Sequence, residues 1–344
     1  MAELVSGKGP DILYLSREDL LLFQEKGVLA DLEELISPDT VQALLPGAVE
    51  LGRVEGKLVG LPGEMHARTV CPRPEIWDGG AWSVSDILNL AEERGDTVEA
   101  ILPTDGESLL YYLVLLDLEH SEFIDWEKNS CSFAGESFVS LLETIRTYSL
   151  DEAPEYGKDQ EMLLEGKCLG VVGYVTGFIF YEGLHEDFGE DMVAAGFPSE
   201  TGKGNYLIAD GILAINAAST HKEAAAAYLE YVLGVQGQSF CSMLSVRRNM
   251  LTEDMVLYGR EDNKPYLKEG ENTRMPLAAK KDGSVYIGQY NEFLESCVPY
   301  PDAHTDIANI LSEEAAAFFS GDKTAEQTAE VIDSRVQLYL DEHR

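Results

Sequence analysis

GKGPDILYLSRED, residues 7–19, is the stretch on which the fold turns. Ile12, Leu13, Tyr14 and Leu15 form a short apolar run. Gly9, Pro10 and Asp11 make a turn in front of it, and Ser16, Arg17, Glu18 and Asp19 follow as a polar helix start. The pattern predicts a buried strand that feeds a helix ending at Gly27. A run this uniformly apolar predicts cover on both faces, as in a parallel α/β sheet. Ligands of such sheets sit at the carboxyl ends of the strands, which puts Ser16 and Arg17 where a ligand would be met.

The rest of the composition fits an α/β protein of more than one core. The chain has 344 residues, long for a single core and comfortable for two domains. Apolar residues make up 45 % and aromatics 9 %, enough to bury real cores. The formal net charge is −37, from 62 acidic and 25 basic residues. That balance argues against nucleic acid and against anionic lipid, since both require a basic surface. The five cysteines, Cys71, Cys131, Cys168, Cys241 and Cys297, lie far apart, with no CxxC pair and no Cys/His spacing for zinc. They read as small buried residues, and no cofactor or metal is expected. No stretch approaches the ~18 apolar residues of a membrane span. No basic-then-apolar leader opens the chain.

Isolated apolar segments alternate with helical ones along the sequence. Residues 58–62, 168–174, 192–197 and 208–216 read as strands, and 123–133 as a hairpin or extended link. Residues 109–118 and 137–148 read as helices. Ser83 with Asp86, Thr220 with Glu223 and Thr324 with Gln327 have the spacing of helix-capping pairs. Catalytic signatures are missing: there is no GxxxxGK[ST], GxGxxG, GxSxG or HExxH. Carboxylates are so numerous that no pair stands out as an acid/base couple.

The order of these elements resembles the extracellular solute-binding proteins of ABC importers, the carbohydrate-binding family related to maltose-binding protein. Five segments carry the likeness. Gly9-Pro10-Asp11-Ile12 is similar to the family's GPDI strand, followed by Gly27-Val28-Leu29-Ala30-Asp31-Leu32. Glu55 to Pro62 is similar to its "dGKlyglP" segment, and Trp82 to Leu88 to its "TWdEll". Ile215 to Ala224 is similar to "I.a.SkhkEaA", and Gly321 to Gln327 to the tail "GdkTaeEa". The likeness implies a two-lobed, type II periplasmic-binding-protein fold. The first lobe would hold 1–64 and 212–285, and the second 65–211 and 286–344. Family members carry a strand, a helix and another strand ahead of GPDI, so a first lobe lacking that initial unit is expected. The segment Gly63 to Pro74 departs from the family's usual strand here, so the ligand class can differ.

The likeness also implies a function: capture of a small ligand, a sugar or oligosaccharide, in an inter-lobe cleft by hinge closure. Permease subunits of an importer would be the protein partners, the binding protein itself a monomer, and its place the outer face of the membrane or the periplasm. Loops and glycine-rich strand exits supply the candidate ligand contacts. Ser16 and Arg17 lie at the first strand's exit, with helix capping and a solvated charge as their plain alternatives. Glu64, Met65 and His66 lie on the expected crossover, where a carboxylate and an imidazole suit hydroxyl recognition. Gly173 and Tyr174 offer close backbone approach and a stacking face. Phe178 and Tyr181 read instead as core of the next helix. Asp210 and Gly211 form the second crossover, and Asp105 precedes a helix, with turn or cap roles as the alternatives. A carboxylate-dependent two-domain enzyme acting on glycosides is the rival reading, and a sensor or scaffold without transport is the third.

Overall fold

A computed structural model describes residues 2–343 except 78–79, 156, 190–191, 242, 249, 251–283 and 302–303. In chain order the elements are α1 (Ala2–Val5), β1 (Ile12–Leu15), α2 (Arg17–Glu25), α3 (Pro38–Gln42), α4 (Pro46–Leu51), β2 (Arg53–Val54), β3 (Lys57–Leu58), β4 (Leu61–Pro62) and β5 (Met65–Pro72). There follow α5 (Val84–Arg94), α6 (Gly106–Leu113), β6 (Ile124–Asp125), β7 (Ser130–Cys131), α7 (Glu136–Thr147), α8 (Lys158–Leu164), β8 (Gly170–Val175) and α9 (Phe178–Phe188). The last are β9 (Tyr206–Ala209), β10 (Ile212–Ile215), α10 (Lys222–Leu233), α11 (Val235–Gln238), α12 (Ser284–Ser296), β11 (Val298–Pro299), α13 (Thr305–Phe319) and α14 (Ala325–Glu342).

The chain divides into two units. Unit one is Met1–Arg68, Tyr174–Glu190 and Asn205–Tyr300, and unit two is Thr69–Gly173, Asp191–Gly204 and Pro301–Arg344. Residues 65–68, 174–190, 205–211 and 286–300, expected with the second lobe, go with unit one instead. Strand pairing is the reason. β9 bonds to residues 65–68 of β5, in the register Met65↔Ala209 to Arg68↔Tyr206, and β11 runs parallel to β9. Part of the expected first lobe, 251–283, lies outside the described residues.

Unit one contains a three-stranded sheet in the order β1-β10-β4, with both pairs antiparallel. Tyr14 stands opposite Leu213, and Leu15 opposite Ile212. The parallel sheet expected around β1, covered on both faces, is therefore not what forms. An antiparallel strand keeps one face on the core and turns alternate residues away from it. Leu13 and Leu15 are buried in a cluster with Leu4, Leu20, Val28, Leu29, Ile212 and Ala214, while Tyr14 between them is 64 % exposed. Among the described residues β10 is the one neighbour of β1.

Two further readings change in unit one. The strand expected over 208–216 is two strands, β9 and β10, broken at Asp210 and Gly211. The capping pair expected of Thr220 and Glu223 does not form: α10 starts at Lys222 with His221 at its N-cap and no side-chain cap. Ser219 reorganises that turn. Its hydroxyl donates to Asp11 Oδ1 at 2.6 Å and accepts from the His221 amide at 2.9 Å.

Unit two follows its sequence more closely. Ser83 and Asp86 close a reciprocal capping box on α5, and Thr324 with Gln327 close one on α14. Trp82 is fully buried, and its indole nitrogen donates to the Gly196 carbonyl at 2.8 Å. Residues 123–133 carry the expected hairpin, β6–β7. No strand forms over 192–197; isolated backbone bonds, Gly196 to Val70 and Phe197 to Gly204, help hold that segment instead. The helices α13 and α14 pack on each other, and α14 packs on α7. All five cysteines are free. Burial pushes the Cys71 and Cys168 thiols up to about 12, and raises Cys297 in unit one as well.

Candidate ligand-binding face

The pleat of β5 sorts its side chains. Met65 and Ala67 are fully buried, while His66 and Arg68 are only partly so and share the other face. Opposite them on β9 stand Ile208 and Tyr206. Where β9 ends, Asp210 brings its carboxylate Oδ2 to 3.6 Å from His66 Nδ1, with the Asp210 side chain 44 % exposed. This is an ion pair whenever the imidazole is protonated.

Tyr174 completes the face. On β8, Gly173 and Val175 are buried and Tyr174 between them is 54 % exposed. The Arg68 guanidinium lies over the Tyr174 ring at 4.9 Å from its centroid, a cation–π contact that fixes the ring's position. Phe178 and Tyr181 are buried, as expected for core, and both meet Tyr290. Unit one thus presents a flat aromatic ring, a guanidinium, an imidazole and a carboxylate on one set of strands. An aromatic face takes the apolar side of a ring-shaped ligand, and the charged groups make strong hydrogen bonds to hydroxyls.

The other sequence candidates are distributed as follows. Ser16 accepts from the Asp19 amide as N-cap of α2. Arg17 donates to the carbonyls of Leu51 at 2.9 Å and Arg53 at 3.1 Å. Glu64 sits beside Cys241, whose thiol points at Oε2 from 3.6 Å. Met65 belongs to the core because its register turns it away from His66. Asp105, in unit two, caps α6 by accepting from the Ser108 amide and hydroxyl. Gly173, also in unit two, is a buried strand residue. Gly211 underlies the Tyr14 ring: a Cβ there would stand 1.9 Å from Tyr14 Cζ.

Tyr14 and Arg68 are the residues of this surface that the sequence did not single out. The signal for Tyr14 was present as the one polar-tipped aromatic in an apolar run. Among the described residues no group of three metal-ligating side chains is placed to hold an ion, and no helix is long and apolar enough to cross a membrane.

No protein-family model matches the sequence, and no curated protein matches it. Solved structures do match. An extracellular solute-binding protein of family 1 from Alicyclobacillus acidocaldarius aligns at TM-score 0.59 and 15 % identity, over 98 % of this chain and 86 % of the other. The sugar-binding protein MalE of Xanthomonas citri aligns at 0.59 and 15 %, over 100 % and 87 %. Maltose-bound MalE3 of T. maritima aligns at 0.55 and 16 %, over 98 % and 87 %. The chain has the two-lobed α/β fold of these extracellular, MalE-like solute-binding proteins.

Proposed function

We propose that this chain is a sugar-binding protein, the substrate-binding component of an ABC importer that works outside the cytoplasmic membrane. The observation that carries the reading is the exposed Tyr174 ring, held by Arg68 on the same face as the His66–Asp210 pair. A pyranose has an apolar face for such a ring and a rim of hydroxyls for such donors and acceptors. The fold neighbours include a maltose-bound protein and one bound to α-D-tagatose, which supports a small sugar as the class of ligand. Binding without turnover is the expected activity. Permease subunits are the proposed protein partners, and the chain itself acts as a monomer.

The test is calorimetric titration of the whole chain with glucose, tagatose, maltose and cellobiose. Saturable binding of at least one, with the sugar recovered unchanged, supports the reading. Micromolar affinity would correspond to about −8 kcal/mol. Hydrolysis products in the recovered sugar would favour the glycoside-active enzyme instead. No binding of any of the four at millimolar concentration overturns the proposal.

A further inference from the structure

Tyr14 has an arrangement that β-strand packing alone does not call for. It is 64 % exposed, yet its ring is not free in solvent. The phenol end lies across the backbone of Gly211, so closely that a Cβ on that glycine would stand 1.9 Å from Cζ and 2.3 Å from Cε1 and Oη. In the antiparallel register Tyr14 faces Leu213, which makes Gly211 its diagonal neighbour, within an aromatic's reach. One ring face is seated on main chain and the other is open.

The place of that ring matters as much as its posture. Gly211 adjoins Asp210, Asp210 meets His66, His66 shares a strand face with Arg68, and Arg68 meets Tyr174. The two exposed tyrosines therefore stand at the two ends of one row of contacts. The His66-to-Arg68 step alone covers about 7 Å along the strand. A ligand that lies on both rings is longer than one pyranose.

We infer that Tyr14, seated on Gly211, is a second aromatic platform of the binding face, and that the ligand is a sugar of at least two rings. This rests on the sugar-binding reading and adds a residue and a ligand size to it. Gly211 is the positioning residue. Any side chain there displaces the ring, and because Tyr14 is exposed the ring can swing away without opening the core.

The experiment is a double-mutant cycle read by calorimetric titration with maltose, cellobiose and glucose. Tyr14→Ala is expected to weaken the two-ring sugars roughly tenfold or more and to narrow their advantage over glucose. Tyr14→Phe keeps the ring and is expected to stay within about threefold of the wild type. Gly211→Ala is expected to weaken the same sugars in the wild-type background, and to add little in the Tyr14→Ala background, since the ring it displaces is already gone. Thermal melts of the variants should match the wild type, which separates loss of binding from loss of fold. Binding of maltose and cellobiose by Tyr14→Ala at wild-type strength overturns the inference and leaves the sugar reading standing. So does a wild type that binds glucose as tightly as either two-ring sugar. A wild type that binds none of the three, nor tagatose, overturns both.

Discussion

At the exit of β1, Ser16 and Arg17 turn back onto the chain. On the outward face of β5, His66 and Arg68 meet Asp210 and Tyr174 instead. Both regions lie in unit one, and both offer polar side chains at strand positions. The difference lies in what backbone stands nearby. The first turn of α2 has amides with no helical partner, and the Ser16 hydroxyl takes one of them. The end of α4 has carbonyls in the same state, and Arg17 donates to Leu51, its last residue, and to Arg53 just beyond. Along β5 the backbone groups are already paired with β9, so the side chains are left to meet one another. A polar side chain at a strand end is thus drawn to the backbone where unsatisfied amides or carbonyls stand beside it, and to other side chains where they do not.

The contrast can be broken most sharply at Arg17. Arg17→Ala leaves two carbonyls without their charged donor and is expected to cost about 3 kcal/mol of stability. Urea unfolding should show it as a lowered midpoint, with sugar affinity within about twofold of the wild type. A variant that melts normally but loses sugar would reverse the assignment of this residue. Tyr174→Ala should do the opposite. Loss of a stacked ring is worth on the order of 1–2 kcal/mol of binding, a five- to thirtyfold weaker titration. Its melt should fall by less than about 1 kcal/mol, the value of the exposed contact with Arg68. Equal losses in both measurements would mean that Tyr174 is a packing residue. The smallest effect is expected at Ser16. Ser16→Ala removes one N-cap bond, about 1 kcal/mol, and Ser16→Asp should restore most of it. Restoration of stability without any change in affinity fixes the hydroxyl as a cap.

The sequence made the local features legible and the long-range ones not. Ser83 with Asp86 and Thr324 with Gln327 act within one helical turn, and both form as their spacing implies. Tyr174 could be told from Phe178 and Tyr181 because strand and helix periods differ across a few residues. Tyr14 could not be assigned a direction. That depends on β10, which arrives about two hundred residues later and antiparallel. The same distance hid the failure of Thr220 as a cap, since the decisive partner of Ser219 is Asp11. Arg68 escaped notice because its value lies in a contact with a residue of another strand. The likeness of motif order carried the fold further than any single element did, because it summarises such long-range pairings.

The buried thiols give the molecule a built-in record of its own opening. Only a thiolate attacks an alkylating reagent, and burial that raises a thiol's pKa well above its ordinary value keeps it protonated at pH 8. Cys71 and Cys168 in unit two are held there by burial, and Cys297 in unit one is raised likewise. Each therefore stays silent toward iodoacetamide while its surroundings are closed and reacts when they part. Because the three sulfurs are divided between the two units, the order in which their peptides acquire label reads out which unit loosens first.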